Sequence, residues 1–342
     1  MITVFPDFDL RHNNTFRMDA RCRRWIEYTD PNDLPAVFAD SSLLKPKSIG
    51  AGSNLLFTQN YDGDLLHSRV MDMEVTPLED DSVYVRAGAG MVMDNLIEYC
   101  AERGYWGLEN LSGIPGEVGA SAVQNVGAYG VEAKDCIESV ECFDTFTRTF
   151  RSFGPSECNY GYRTSRFKTG DDADRYIVCY VVFRVYSDFL AKLDYGHLRE
   201  SLKNDHPTPM DVREAVIAMR TAKLPDVDKI GSAGSFFKNP LLTTSEFAAL
   251  KERAVSIFGQ EISIPNYREG DRIKVPAAWL IDKSGLKGYR NKDAGVWEKQ
   301  PLVIVNLTGK ATAKEIIEVK DHVIDTVRGK FGIVLSPEVE LL

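Results

Sequence analysis

The pattern of apolar and polar residues predicts a mixture of strands and helices along the 342-residue chain. Short strands are expected around 83–85 and 139–143. The run from Tyr176 to Tyr186 is apolar enough to predict a strand that is buried on both faces. Helical spacing appears at 92–103, where Gly104 supplies a stop. The pattern alone therefore indicates a protein of mixed α and β structure.

Capping signals predict where three further helices begin. Asp30 and Thr208 each precede a proline, which suits the first helical position. The helix that follows Thr208 should stop before Pro225. A T-x-x-E capping box begins at Thr312, and the helix that it starts is expected to end at Gly329. These signals place the best-defined helices in the second half of the chain.

Composition excludes several classes of protein. Hydrophobic residues make up 44% of the chain and charged residues 27%, as in an ordinary globular protein. A net charge of −9 argues against a general affinity for nucleic acid or for anionic membranes. The longest apolar run, 176–183, is far shorter than the roughly 20 residues that span a bilayer. No signal peptide is recognised, and six cysteines without a C-x-x-C pair favour reduced thiols in the cytoplasm.

The length predicts two or three domains. We place domain joints near residues 70 and 205. The expected parts are therefore 1–70, 71–205 and 206–342, and the last residues could return to the earlier parts.

The segment IPGEVGASAVQNVGAYG, residues 114–130, is the most informative motif. Four glycines alternate with small residues, and Glu117 is the only charged residue. A core helix would not tolerate four glycines, since each costs about 1 kcal/mol relative to alanine. The composition suits a backbone that comes close to a flat or anionic ligand and offers N–H groups to it. The alternative is a tight turn packed between two strands.

Two other glycine motifs fail the tests for common folds. GAGSNLLF, residues 50–57, has Leu55 where a dinucleotide fingerprint needs its third glycine, and the turn at 88–93 fails in the same way at Met93. A doubly wound nicotinamide-binding fold is therefore not favoured, although a phosphate cradle remains open. GSAGSFFKNP, residues 231–240, is not a nucleophile elbow, because Phe237 stands where the last glycine should be. Taken alone, Ser235 would be a turn residue.

Seven ordered segments together resemble the family of UDP-N-acetylenolpyruvoylglucosamine reductases. They are the three glycine motifs above with ECNYGYRTSRFK at 157–168, MRTAKLPD at 219–226, WLIDKSGLKG at 279–288 and PEV at 337–339. The resemblance implies an α+β protein, in which two FAD-binding subdomains of the vanillyl-alcohol-oxidase type precede an α+β substrate domain. It also implies non-covalent FAD, NADPH as co-substrate, and reduction of the enolpyruvyl ether of UDP-N-acetylglucosamine to UDP-N-acetylmuramate for peptidoglycan.

The resemblance assigns three catalytic residues. Ser235 matches the proton donor to C2 of the enolpyruvyl group. Arg163 matches an active-site arginine, whose guanidinium suits a developing enediolate. Glu338 matches an active-site glutamate, which would share a proton or act through a bond to Arg163 or water. Each residue, taken alone, would be read as an ordinary surface or turn residue.

The resemblance also transfers binding residues. The cofactor-binding positions are Gly50, Ala51, Gly52, Ser53, Asn54, Ile114, Pro115, Gly116, Gly119, Ala120, Gln124, Asn125, Gly127, Ala128, Tyr129 and Arg220. The substrate-binding positions are Tyr129, Tyr195, Lys223, Asn239, Tyr267 and Gln300. Arg220 and Lys223 would otherwise stabilise the end of their helix. The segment around Tyr195 places the chain in the class with a tyrosine-bearing lid loop.

Some positions depart from the family pattern. Ser232 stands where asparagine is common, Ala278 stands where glycine is common, and residues 291–299, directly before Gln300, match poorly. Two alternatives remain beside the reductase: an FAD-dependent alcohol oxidase of the same fold, and a sugar-nucleotide-binding protein without activity. We expect no metal, no nucleic acid partner and no membrane insertion. We expect the protein to be a monomer.

Overall fold

Contacts within the chain divide it into two compact units. The structure is a computed structural model that describes residues 1–188 and 191–342. Unit 1 consists of Met1–Phe8, Arg21–Ala51 and Tyr61–Thr221, and unit 2 consists of Asp9–Ala20, Gly52–Asn60 and Ala222–Leu342. The chain therefore passes from one unit to the other near residues 8, 20, 51, 60 and 221. These positions differ from the domain joints predicted near residues 70 and 205. The three-part division stays a prediction.

The described chain contains eight α-helices and three short 3₁₀ turns. The helices are α1 (Leu34–Ala39), α2 (Met93–Glu102), α3 (Val118–Gln124), α4 (Leu198–Ser201), α5 (Pro209–Lys223), α6 (Thr244–Phe258), α7 (Ala277–Lys283) and α8 (Ala313–Phe331). The 3₁₀ turns are Pro31–Asp33, Glu109–Leu111 and Ala133–Asp135. Within the described ranges, none of these helices has both the length and the apolarity of a membrane span.

The strands of unit 1 belong mainly to two sheets. They are β1 (Ile2–Asp9), whose last residue belongs to unit 2, β2 (Arg21–Tyr28), β3 (Lys47–Ile49), β5 (Tyr61–Ser68), β6 (Met73–Pro77), β7 (Ser82–Gly88), β8 (Gly127–Ala128), β9 (Val131–Glu132), β10 (Ile137–Asp144), β11 (Thr149–Phe153) and β12 (Tyr176–Tyr186). The strands of unit 2 are β4 (Leu55–Leu56), β13 (Gly231–Ser235), β14 (Leu241–Leu242), β15 (Tyr267–Glu269), β16 (Arg272–Lys274), β17 (Arg290–Asn291), β18 (Ala294–Val296), β19 (Val303–Asn306) and β20 (Glu340–Leu341).

The first sheet of unit 1 has the order β1-β2-β5-β3, with β5 parallel to both β2 and β3. The second has the order β11-β10-β12-β7-β6, with antiparallel neighbours. The strand β12 has the predicted bounds. Its first four residues are buried, but alternate residues beyond Cys179 are only half-buried, so burial on both faces holds for part of the strand.

Unit 2 is built around the sheet β13-β19-β18-β17, whose strand β19 is completely buried. Helix α8 begins with the predicted capping box, since Thr312 accepts from the N–H of Glu315 and the Glu315 side chain accepts from the N–H of Thr312. The predicted end at Gly329 is wrong, because the helix runs on to Phe331. The residue in the left-handed conformation is Gly332, with φ of 73°.

The sequence suggested that the glycine segment 114–130 is not helical. The structure shows that part of it is a helix. Its middle seven residues form α3, and only one of them, Gly119, is a glycine. An alanine Cβ at Gly119 would lie 2.8 Å from the Cβ of Ala89, so the glycine lets the helix pack closely on the neighbouring turn. Close packing therefore outweighs the helix-propensity cost on which the loop interpretation rested.

Candidate functional site

Two of the predicted glycine motifs meet within unit 1. A Cβ added to Gly50 would lie 3.1 Å from Oε2 of Glu117 and 3.3 Å from the Cβ of Ala120. The turn after β3 therefore rests on the start of α3. Ala51 continues this turn at the surface, whereas Gly52, Ser53 and Asn54 belong to unit 2.

Some backbone amides of the segment 114–130 are hydrogen-bonded within the protein, whereas several of its residues are partly exposed to solvent. The N–H of Val118 donates to the carbonyl of Met91 at 2.9 Å, and that of Gly119 donates to Ala89 at 3.0 Å. The Gly119 amide is therefore used inside the protein, so it is not a donor for a phosphate. Pro115 is exposed. The half-buried residues of the segment include Ile114, Gly116, Ala120, Gln124, Gly127, Ala128 and Tyr129.

Asn125 serves the shape of the segment. It is fully buried in the left-handed conformation, with φ of 49°. Its Nδ2 donates to Oε2 of Glu132 at 3.1 Å and to the carbonyl of Gly161 at 2.9 Å, which uses both of its protons. The neighbouring Gln124 accepts from Nζ of Lys168. The side chain of Asn125 thus shapes the turn and has no proton left for a cofactor.

Arg163 lies against the same segment, as a residue that acts at the flavin would need to. Its guanidinium donates to the carbonyl of Gly127 and lies 3.8 Å from Oε1 of Glu132. A Cβ on Gly127 would be 2.9 Å from Nη1 of Arg163, so a glycine is needed for this approach. The left-handed backbone of Arg163, with φ of 57°, directs it there from an irregular turn.

Arg220, near the end of α5, reaches the start of the segment. Its Nε donates to the carbonyl of Gly113 at 3.1 Å. Burial lowers the pKa of Arg220, while the neighbouring Tyr129 and Asp94 act in the opposite direction. The carboxylate of Asp94 is itself paired with Arg213 at 2.6 Å. Arg220 therefore supplies a partly desolvated positive charge beside the predicted cofactor loop.

Two predicted substrate tyrosines are close together in unit 1. Tyr129 is half-buried, and burial raises the pKa of its phenol. A Cβ on Gly130 would lie 3.3 Å from the Cβ of Tyr195, whose side chain is exposed. The segment around Tyr195 therefore packs onto the end of the glycine segment.

Unit 2 brings the backbone around Glu338 beside the end of β13, where Phe237 and Pro337 form an isolated bridge. Ser235 ends β13, and the next residue, Phe236, accepts at its carbonyl from the N–H of Glu338 at 2.8 Å. Asn54 joins them, since its Nδ2 donates to the carbonyl of Glu338 at 3.3 Å. Gly234 precedes Ser235 with φ of 67°, and no atom lies within 4 Å of the position of its missing Cβ. The backbone beside Ser235 is therefore accessible.

The other predicted substrate residues of unit 2 have different surroundings. Lys223 is exposed, and its backbone carbonyl accepts from the indole of Trp297 at 3.0 Å. Asn239 accepts from the N–H of Ala277 at the start of α7 and so has a structural task. Tyr267 is exposed on β15. The Oε1 of Gln300 is buried and accepts no hydrogen bond from the described residues, which leaves its amide available to a ligand.

Sequence reasoning missed a buried side-chain cluster under the first glycine turn. His67 lies between two carboxylates, with Nε2 2.8 Å from Glu117 and Nδ1 3.3 Å from Glu27. The signal that could have revealed it was the single charge in the segment 114–130. A charged residue among glycines and alanines needs a partner if it is buried.

These features fit a bound dinucleotide such as FAD. A Cβ would be tightly packed at position 50 and would collide with Arg163 and Glu132 at position 127, so both turns keep a bare backbone. Arg163 and Arg220 provide positive charge beside them in a protein of net charge −9. The residues that would hold the group are therefore the backbone of these turns and the guanidinium of Arg220.

Comparisons with known proteins agree with this chemistry. Residues 225–342 match the model of the UDP-N-acetylenolpyruvoylglucosamine reductase C-terminal domain, and residues 37–148 match that of an FAD binding domain. The chain is similar to the UDP-N-acetylenolpyruvoylglucosamine reductase of Bacteroides fragilis strain YCH46, with 42% identity over 98% of this chain and 99% of that protein. It is equally similar to the reductase of Porphyromonas gingivalis strain W83, at 42% identity and 99% coverage of both.

A solved structure shows the same fold. The crystal structure of UDP-N-acetylenolpyruvylglucosamine reductase from Thermus caldophilus has a TM-score of 0.67 and 22% identity, covering 100% of this chain and 98% of that one. Together with the two domain matches, it confirms the predicted fold class, an FAD-binding fold of the vanillyl-alcohol-oxidase type with a C-terminal α+β domain.

Proposed function

The chain belongs to the family of UDP-N-acetylenolpyruvoylglucosamine reductases, and we propose that it performs the family's reaction with NADPH as the electron donor. The protein is an FAD-dependent oxidoreductase. Its substrate is the enolpyruvyl ether of UDP-N-acetylglucosamine, and its product is UDP-N-acetylmuramate, which places it in peptidoglycan precursor synthesis. The observation that carries this proposal is identity of 42% with a reductase over 98% of the chain.

Reduction of the enolpyruvyl double bond requires a hydride at C3 and a proton at C2. FAD, when bound, supplies the hydride after NADPH has reduced it. Ser235 donates the proton to C2, because it follows the open backbone at Gly234 where a substrate can approach. Its hydroxyl is then reprotonated from solvent. This assignment rests on the match of Ser235 to the family's proton donor.

Negative charge develops over C2 and the substrate carboxylate before the proton arrives. Arg163 stabilises that charge through its guanidinium, which the contact with the carbonyl of Gly127 orients. The N–H of Glu338 donates to the carbonyl of Phe236, the residue after Ser235, and Glu338 assists Ser235 by sharing a proton or through water. Its side chain is half-buried, as this role requires.

The protein binds the UDP part of the substrate through its diphosphate and its sugar. Lys223 binds the diphosphate as a charge, and Asn239 and Gln300 add hydrogen bonds. The tyrosines Tyr129, Tyr195 and Tyr267 cover the nucleotide sugar, because each combines a ring with an exposed or half-buried position. The exposed Lys223 and the buried, unsatisfied oxygen of Gln300 support these roles.

We also propose that the protein is a cytoplasmic monomer with links to cell division and cell shape through the cell wall. Six cysteines, all free and buried, support a reducing compartment. An alcohol oxidase of the same fold is less well supported. Such an enzyme often carries covalently tethered flavin, and the segments 50–57 and 114–130 contain neither histidine nor cysteine.

One spectroscopic experiment tests the proposed function. The purified protein should be yellow, and acid precipitation should release all of its flavin into the supernatant. Anaerobic NADPH should bleach the flavin absorbance, and the enolpyruvyl substrate should restore it. A colourless protein that FAD cannot reconstitute would contradict the proposal, and bleaching of the flavin by a simple alcohol in place of NADPH would favour the oxidase.

A further inference from the structure

Glu117 is a buried charge that the proposed reaction does not use. It is the single charged residue in the segment 114–130, and it is 8% exposed. An ionised carboxylate is costly to bury unless it is paired and hydrogen-bonded. Glu117 therefore requires partners, and the identity of those partners shows what it holds in place.

A chain of side chains leads from Glu117 into the first sheet. His67 on β5 places Nε2 2.8 Å from Oε1 of Glu117 and Nδ1 3.3 Å from Oε1 of Glu27 on β2. Glu27 and His67 are direct partners in the parallel register, and the indole of Trp25 donates to the same oxygen of Glu27 at 3.2 Å. Each ring nitrogen of His67 therefore faces a carboxylate oxygen.

The other oxygen of Glu117 faces the first glycine turn. A Cβ on Gly50 would lie 3.1 Å from Oε2 of Glu117, which is tighter than ordinary van der Waals contact. The carboxylate thus lies between the ring of His67 and the backbone of the turn. Together with Ala120, whose Cβ would lie 3.3 Å from the same added Cβ, it limits how closely the turn at 50 approaches α3.

Backbone bonds do not make this connection. The start of α3 is held to the turn at 89–93 by bonds such as Val118 N–H to Met91 and Gly119 N–H to Ala89. Those two bonds involve no residue of β2 or β5, although the N–H of Gly90 in the same turn donates to Val70, two residues beyond β5. The side-chain chain through His67 is a separate link between the glycine segment and the first sheet.

We propose that His67 is a positioning residue for the cofactor loops, which it aligns by bridging Glu27 and Glu117. It holds the carboxylate of Glu117 against Gly50 and so sets the spacing between the two glycine motifs. The inference rests on the proposed function, because it takes these motifs as the FAD site. His67 itself contacts no cofactor in this scheme.

The test compares FAD binding and catalysis in three variants. His67→Gln, Glu117→Gln and the double variant are stripped of flavin, and the dissociation constant for FAD is measured by flavin fluorescence. Glu117→Gln keeps an acceptor for His67 and leaves no buried charge, so it should fold even where His67→Gln does not. Each single variant should weaken FAD binding on the order of tenfold, and the double variant should be no worse than the weaker single one.

Steady-state kinetics at saturating FAD show whether His67 only positions the cofactor loops or acts directly in catalysis. When FAD is saturating, kcat and the KM for the enolpyruvyl substrate should return to the wild-type values in both single variants. Unchanged FAD affinity in Glu117→Gln and His67→Gln, or losses that multiply in the double variant, would overturn the inference. A defect in kcat that excess FAD does not rescue would also overturn it.

The control is Glu141→Gln, which removes a half-buried carboxylate from the second sheet of unit 1. Glu141 pairs with Arg86 at 2.6 Å and touches neither glycine motif. It should lower the melting temperature without changing the FAD dissociation constant. An equal loss of FAD in this control would show a general effect of instability and overturn the inference. Wild-type protein that binds no FAD would refute the proposed function instead, and so the two failures are distinguishable.

Discussion

The Nε of Arg220 donates a hydrogen bond to the carbonyl oxygen of Gly113, one residue before the glycine segment that the sequence singled out. The sequence left open whether Arg220 stabilises the end of its own helix or binds a ligand. The contact brings the guanidinium to the residue before 114–130, and we propose that Arg220 also serves a ligand there. Burial lowers the pKa of Arg220, and a group that is charged and partly desolvated benefits from an anionic partner.

Arg220→Lys should weaken FAD binding while leaving the fold intact. Lysine keeps the charge but lacks the planar guanidinium fork, so it cannot bond the Gly113 carbonyl and also present a flat, bidentate pair of donors to a phosphate. Loss of one hydrogen bond to a charged group should raise the FAD dissociation constant about tenfold or more. Flavin fluorescence on titration of the apoprotein measures this change. As a control, Arg86→Lys alters an arginine of unit 1 that pairs with Glu141, and it should affect only the melting temperature.

Ser235→Ala should affect only the second half of the catalytic cycle. Hydride transfer from NADPH to the flavin needs no donor at C2, so anaerobic bleaching should proceed at nearly the wild-type rate. Reoxidation by the enolpyruvyl substrate should slow by on the order of 10², the usual contribution of a positioned acid. Stopped-flow absorbance separates the two steps.

The matched control for this experiment is Ser232→Ala, a buried serine earlier in the same strand. It should leave both steps unchanged. If Ser235→Ala slows both half-reactions equally, the serine positions the flavin or the strand, and the proton comes from another group.

Lys223→Ala should raise the KM for the UDP substrate much more than it lowers stability. The side chain of Lys223 is exposed at the end of α5, where its favourable interaction with the helix dipole is worth only about 0.3–1 kcal/mol. Steady-state kinetics and thermal melting distinguish the two roles. Lys229→Ala, which removes a nearby exposed lysine paired with Asp226, should change neither KM nor kcat. A shift in melting temperature with KM untouched would favour a purely structural Lys223.

The sequence predicted local features better than the connections between them. Thr208 begins α5 and Thr312 begins α8 as predicted, because a cap and its partner are only three residues apart. The end of α8 was misplaced, since Gly329 and Gly332 look alike in sequence and only the structure shows which one takes the left-handed conformation. The sequence did not predict helix α3, because the reason for Gly119 in that helix is its close packing against Ala89, which is distant in sequence.

In the candidate site, too, the sequence predicted contiguous motifs but not the contacts between distant residues. The motifs around Arg163 and Ser235 identified the family, since such motifs are contiguous in sequence. The bond of Arg220 to Gly113 and the bridge of His67 to Glu117 join residues separated by 107 and 50 positions. A single sequence carries no pattern for such pairs. The one available hint was a lone charge among small residues.

Thiol chemistry provides a prediction that depends on pH. Burial raises the pKa of Cys22 from 9.0 to about 11 and that of Cys100 to about 12. At pH 8, about one Cys22 in a thousand is therefore a thiolate. A disulfide reagent should modify none of the six cysteines of the native protein within minutes at pH 8, and all six after denaturation.

The sign of the linked stability change follows from the raised values. The unfolded chain loses its thiol protons near pH 9, before the folded protein does. The contribution of these groups to stability is complete below about pH 9 and is lost as the pH rises toward 11. Melting temperatures between pH 8 and 11 should therefore fall. Rapid labelling of native protein at pH 8 would contradict the buried positions.

A pair of glycine substitutions should separate packing from ligand access. Gly52 and Gly234 have similar left-handed backbones, with φ of 62° and 67°. A Cβ at Gly52 would lie 2.3 Å from the carbonyl oxygen of Asn13, whereas nothing lies within 4 Å of one at Gly234. Gly52→Ala should therefore destabilise unit 2 strongly. Gly234→Ala should cost only the backbone strain of about 1–2 kcal/mol.

Activity should rank these two variants in the opposite order. The open space beside Gly234 is where the proposed substrate approaches Ser235, so an added methyl group should slow reoxidation of the reduced flavin even at temperatures where the protein is fully folded. Gly52→Ala, saturated with FAD and assayed well below its melting temperature, should keep more of the wild-type rate of that step. Thermal melting and stopped-flow reoxidation of the same preparations provide the comparison. Wild-type reoxidation kinetics in Gly234→Ala would show that the substrate does not use this space and would remove the structural support for Ser235 as the proton donor.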